Sequence, residues 1–177
     1  MLTSLLFCIL FINVFSKEYK AVEYLDVNKY IGKWYQVYQD KFDQLFQGVG
    51  TCSTAEYSII NDNKISVFNK QLDSQNKTDS ISGYAYYKDD DCCGYLTVHF
   101  DNNIPEAPYW VLELGPVVSN LYDYSIVSDN KGHSLYVLTR NVQRFYQKYN
   151  DEILSSLSEF GFTKNFNQPF IMEQKNC

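Results

Sequence analysis

A chain of 177 residues fits a single domain, and at that size it buries roughly two-thirds of its extended surface, enough for a core of its own. The formal net charge of −6 sets it against phosphate backbones and anionic lipid, and no basic run reverses that sign locally, so the sequence argues against nucleic-acid binding. Aromatic residues reach 17%, with 16 Tyr and 12 Phe against 2 Met, the composition of an aromatic-rich β protein.

Taken in chain order, residues 1–16 have the pattern of a secretory signal peptide cut ahead of Lys17. Leu5 to Phe15 is apolar apart from Asn13, too short to span a bilayer. The predicted domain is 17–177, secreted and with no stable membrane insertion. Loss of Cys8 with the signal leaves Cys52, Cys92, Cys93 and Cys177, an even set that reads as disulfides in an extracellular chain. Strand character then recurs at about 33–40, 51–60, 64–71, 81–88, 95–100, 109–115, 122–128 and 134–140. Asn61-Asp62-Asn63 predicts a tight hairpin between the second and third strands, because Asn and Asp tolerate left-handed backbone geometry. Asn76-Lys77-Thr78 is an N-glycosylation sequon in a polar loop. After the strands, Tyr149, Ile153, Leu154, Leu157 and Phe160 fall at helical spacing, and Gly161 is placed to end the helix.

Eight strands with short connections leave no room for parallel crossovers. The expected fold is all-β: an eight-stranded antiparallel up-and-down barrel, which removes every sheet edge and leaves an interior able to hold one small ligand. One C-terminal helix packs outside, against the outer face that Leu135, Val137 and Thr139 offer.

The string Asp26-Val27-Asn28-Lys29-Tyr30-Ile31-Gly32-Lys33-Trp34-Tyr35 resembles the first conserved block of the lipocalin family, with its G-x-W as Gly32-Lys33-Trp34. The second block, T-D-Y, stands as Tyr122-Asp123-Tyr124 without its threonine, and Arg140 in Leu138-Thr139-Arg140-Asn141 matches the third. Further likenesses run from Cys52 to Ser58, across Ala107-Pro108-Tyr109-Trp110, and through the tail Glu173 to Cys177, in the manner of apolipoprotein D and the bacterial outer-membrane lipocalins. The resemblance implies that Trp34 plugs the closed end and that Arg140 lies over its face, a cation–π contact giving ~0.5–2 kcal/mol. It implies a barrel-to-tail disulfide between Cys52 and Cys177. The alternative is a free Cys52 nucleophile inside the barrel. Cys92-Cys93 departs from the family pattern, and a vicinal disulfide, a reduced pair and an interchain link all stay open.

With Trp34 and Arg140 pointing inward, strand alternation directs Gln36 and Tyr38 on the first strand, and Tyr136 and Leu138 on the last, into the lumen. The resemblance adds Tyr57, Asn69, Phe100 and Trp110, and alternation extends the set to Ile59, Ile65, Val67, Val98, Leu112 and Leu114. The fourth and seventh strands cannot be phased from the sequence. Apolar walls with scarce polar groups suit a small hydrophobic ligand: a fatty acid, sterol, retinoid or pigment. Phe42, Leu45 and Phe46 in the first open-end loop are apolar, suited to gating the lumen or touching a lipid particle or membrane surface.

Signals for catalysis are sparse. His99 is expected to face outward and His133 to sit in a turn, neither with metal-ligand neighbours, and Asp89-Asp90-Asp91 lacks the rest of a calcium loop. No catalytic residue, metal or cofactor is assigned. The expected function is extracellular binding and transport of a small hydrophobic ligand. A lipocalin-fold enzyme acting on a lipid or isoprenoid is the alternative, and a filled barrel serving as an interaction protein is a third reading.

Overall fold

The computed structural model describes residues 19–41, 50–87, 93–101 and 104–177. A single helical turn, α1 (Val27–Tyr30), leads into β1 (Gly32–Gln39). Its first orphan amide is met by Asp26, whose carboxylate accepts from Asn28 N at 3.1 Å. Gly32 holds φ +91°, a left-handed turn that swings the chain from helix into strand. That is why the G-x-W block carries a glycine there.

Antiparallel strands follow as β2 (Thr51–Asn61), β3 (Lys64–Leu72), β4 (Thr78–Tyr86), β5 (Tyr95–Phe100) and β6 (Ala107–Leu114). A small hairpin of β7 (Val117–Val118) and β8 (Leu121–Tyr122) precedes β9 (Tyr124–Ser128) and β10 (Leu135–Thr139). Strand order is β10-β9-β6-β5-β4-β3-β2-β1, and β10 also pairs with β1, so eight antiparallel strands close on themselves. At the β2–β3 turn, Asn61 Oδ1 accepts from Asn63 N at 3.0 Å, the hairpin the Asn-Asp-Asn sequence predicts. The predicted 122–128 strand is shorter, because Asp123 turns inward between the hairpin and β9.

Two helices lie outside, α2 (Val142–Lys148) and α3 (Asn150–Phe160), where one was expected. Asn141 caps α2 by accepting from Arg144 N at 2.8 Å, and Gly161 ends α3 at φ +87°. The first helix escapes periodicity analysis because Phe145 is its one buried residue. Phe145, Ile153 and Leu157 are fully buried against Val37, Ile126, Leu135 and Val137 on the barrel's outer face. Each such side chain contributes ~1.5–3 kcal/mol on burial. Leu154, placed on that face by its spacing, sits on the exposed rim instead.

The tail completes the wall. β11 (Phe170–Ile171) pairs with the upper half of β1, whereas β2 pairs with the lower half. Gln174 Nε2 spans the seam, donating to Gln36 O at 2.8 Å and Ser53 O at 2.7 Å. Cys52, at φ +59° in a bulge of β2, is bonded to Cys177 and fixes the seam from the barrel side.

Candidate functional site

The closed end is built around Trp34, whose side chain is fully buried. The Arg140 guanidinium lies 3.6 Å from the centre of its ring. Arg140 donates to the carbonyls of Lys33 (2.8 Å), Tyr30 (2.9 Å), Ile31 (2.8 Å) and Tyr122 (3.2 Å), so it fastens α1 and β1 to β8. The Trp34 indole N–H takes Tyr30 O as well, at 2.8 Å. Burial pulls the Arg140 guanidinium down to about 10, which leaves it charged at neutral pH. Beside it, buried Asp123 accepts from Arg144 Nε at 2.7 Å, and its carbonyl accepts from Arg140 N at 3.0 Å. The acid of the T-D-Y block thus ties the barrel floor to α2. Nothing in the sequence pairs it with an arginine three elements later.

Above this plug stand three tyrosines joined hydroxyl to hydroxyl. Tyr57 and Tyr109 are 3.0 Å apart, Tyr109 and Tyr30 2.8 Å, and Tyr30 reaches Ser125 Oγ at 3.1 Å. The Tyr30 and Tyr57 rings stack at 5.6 Å. Burial pushes Tyr30 up to about 12 and drives Tyr57 and Tyr109 higher, so all three stay neutral across the physiological range.

Facing pairs set the walls. Ile65, Val67 and Asn69 on β3 oppose Ala85, Gly83 and Ile81 on β4, which phases the fourth strand. Leu96, Val98 and Phe100 face in from β5, and Tyr136 and Leu138 from β10. On β9, Ser125 and Val127 face in while Tyr124 and Ile126 join the outer cluster, which phases the seventh barrel strand.

Three expected lumen residues are overturned. Tyr38 points outward: its hydroxyl donates to Asn150 at 2.7 Å and its ring packs on Phe145. A bulge makes Val37 and Tyr38 share the partner Val137, so Gln39, opposite Tyr136, takes the inward place. Trp110 and Leu112 also belong outside, and Trp110 meets the outward Tyr95 edge-on at 4.7 Å. Tyr109 and Val111 face in instead, and a second bulge after Val111 returns Leu114 to the interior. Ile59, on an inward-facing position, is 47% exposed at the hairpin end. Gln36, Tyr57, Asn69, Phe100 and Tyr136 line the interior.

Elsewhere, His99 faces outward, stacked on Tyr84 at 4.9 Å with Glu106 at 3.5 Å, and His133 lies by Asp129 in the β9–β10 turn. Asn76 is exposed in the β3–β4 turn at φ +58°. The signal segment 1–16, the loop residues Phe42, Leu45 and Phe46, the run Asp89-Asp90-Asp91 and Cys92 lie outside the described residues.

A closed antiparallel barrel, plugged at one end and lined mainly by apolar side chains, defines a ligand-holding β-barrel. The chain belongs to the lipocalin-like domain family, whose pattern matches residues 25–168. Apolipoprotein D of Bos taurus is 38% identical over 90 residues, 51% of this chain and 46% of that protein, so the match spans about half of each. The outer membrane lipoprotein Blc of Vibrio cholerae serotype O1 is 32% identical over 149 residues, 82% of both chains. Among solved structures, apocrustacyanin C1 superposes with a TM-score of 0.61 at 16% identity, covering 85% of this chain and 81% of its own, a likeness of fold. Membership of this family supports binding of a small hydrophobic ligand.

Proposed function

We propose that this protein is an extracellular carrier that holds one small hydrophobic molecule inside the barrel and performs no chemistry on it. The observation that carries this reading is the lining. Every buried side chain that the described strands turn inward is uncharged, and most are aliphatic or aromatic. Burying ~300 Å² of apolar ligand surface yields about 7 kcal/mol before association costs, which corresponds to micromolar binding after them. Gln36, Tyr57, Asn69, Phe100 and Tyr136 are the proposed ligand contacts from the sequence, joined by Gln39 and Tyr109.

Secretion through cleavage after residue 16, glycosylation at the exposed Asn76, and contact of Phe42, Leu45 and Phe46 with a lipid surface belong to the same proposal. The Cys52–Cys177 disulfide supports the extracellular setting. The test uses tryptophan emission of a Trp110→Phe variant, which leaves Trp34 on the barrel floor as reporter, titrated with a lipid panel. Saturable quenching at micromolar ligand is expected, together with lipids co-purifying with the secreted protein in mass spectra. A flat response across the panel and a lipid-free preparation would refute the carrier reading.

A further inference from the structure

Three amide side chains stand out in an otherwise apolar interior. Gln36 and Gln39 are 4% and 2% exposed, and Asn69 faces in from β3. Gln36 uses its Oε1 to accept from Ser53 Oγ at 2.8 Å, and its Nε2 has no partner among the described residues. Gln39 Oε1 and Asn69 Oδ1 are likewise buried without one. The register fixes their aim. Gln36 and Gln39 oppose the inward Leu138 and Tyr136, and Asn69 opposes the inward Ala55. A buried amide left unpaired is costly, so Gln36 and Gln39 together on β1, with Asn69 two strands away on the row of Trp34, point to a hydrogen-bonding guest.

The buried side chains that the described strands turn inward offer such a guest no opposite charge. An anion at this depth needs a cation, and the guanidinium of Arg140 already serves five carbonyls, those of Lys29, Tyr30, Ile31, Lys33 and Tyr122. The floor hydroxyls of Tyr30, Tyr57 and Tyr109 are neutral donors and acceptors. At the rim, Asp79 stands opposite Gln71, adverse to an entering carboxylate. The Lys41 ammonium lies over the Phe170 ring at 5.5 Å from its centre.

We propose that the barrel selects neutral amphiphiles, with an apolar body and one hydroxyl, carbonyl or amide group, over fatty-acid anions, and that Gln36 and Gln39, together on β1, receive that group. This rests on the carrier reading and narrows its ligand class.

The experiment compares hexadecan-1-ol, palmitate and pyrene at pH 7.4 on the full secreted protein carrying Trp110→Phe, with and without Gln39→Leu, by Trp34 emission. Hexadecanol is expected to bind at least tenfold more tightly than palmitate. Gln39→Leu is expected to weaken hexadecanol about tenfold, leave pyrene unchanged, and raise or preserve the melting temperature, since an unpaired amide is removed. Palmitate binding as tightly as hexadecanol in the protein without Gln39→Leu overturns the selection whether or not the variant folds, and so does a Gln39→Leu variant that holds both ligands as before. If pyrene also fails to bind, the carrier reading falls with it.

Discussion

At the residue scale, Arg140 shows how one side chain closes a barrel. Its guanidinium covers the indole face of Trp34 and gathers carbonyls from Tyr30, Ile31, Lys33 and Tyr122, groups that no strand partner reaches. Arg140→Leu strips that donor from all of them, leaving Tyr30 O only the Trp34 indole N–H, and should cost ~2–4 kcal/mol in urea unfolding. Arg140→Lys should recover little of the loss, because a point ammonium cannot span the same acceptors. Trp34→Ala, which empties the plug, should cost ~3–5 kcal/mol in the same measurement. The G-x-W string was legible because it sits in a long contiguous block, and the lone arginine through the family resemblance that this block carries. Asp123 and Arg144 were not, since their pairing depends on how α2 folds back.

Among the elements, the bulge in β1 matters most. Alternation assumes a strict period of two, and one extra residue at Val37-Tyr38 flips everything beyond it to the other face. Tyr38→Phe should therefore lose about 1 kcal/mol of stability, the hydrogen bond to Asn150, while leaving ligand affinity untouched. Paired thermal melts and fluorescence titrations separate the two effects, and a drop in affinity would place Tyr38 back in the lumen. The tail is the other element whose role is conditional. β11 and Gln174 close the seam between β1 and β2, and the Cys52–Cys177 bond, across 125 residues, anchors the same tail. Cys177→Ser should cost ~4–5 kcal/mol at most, read as a lower guanidinium midpoint.

For the whole molecule, the buried hydroxyl chain makes stability depend on alkaline pH. Tyr30 titrates at about 12 in the folded chain, with Tyr57 and Tyr109 shifted in the same direction, against ~10 in an unfolded one. Below pH ~10 both states keep these protons and stability is unaffected. Between ~10 and 12 the unfolded chain releases protons that the folded chain retains, so stability falls by about 1.4 kcal/mol per pH unit for each such tyrosine. Tyrosinate absorbance near 295 nm should rise in two stages, exposed rings first, then a cooperative step coincident with loss of circular dichroism. A single smooth titration with intact dichroism would contradict this burial.

Local signals reached as far as local physics does. Turn residues, alternating strands, the helix ending at Gly161 and the conserved string around Trp34 are written in contiguous residues, and they determined an eight-stranded barrel with its closed end identified. Which face a strand presents after a bulge was decided only in three dimensions, because a bulge forms when two strands must match length and twist, a demand neither strand carries alone. Hence Gln39 and Tyr109 replaced Tyr38 and Trp110 in the interior. The hydroxyl chain at the floor and the Asp123–Arg144 pair arose the same way, from elements distant in sequence meeting where closure of the barrel brought them together.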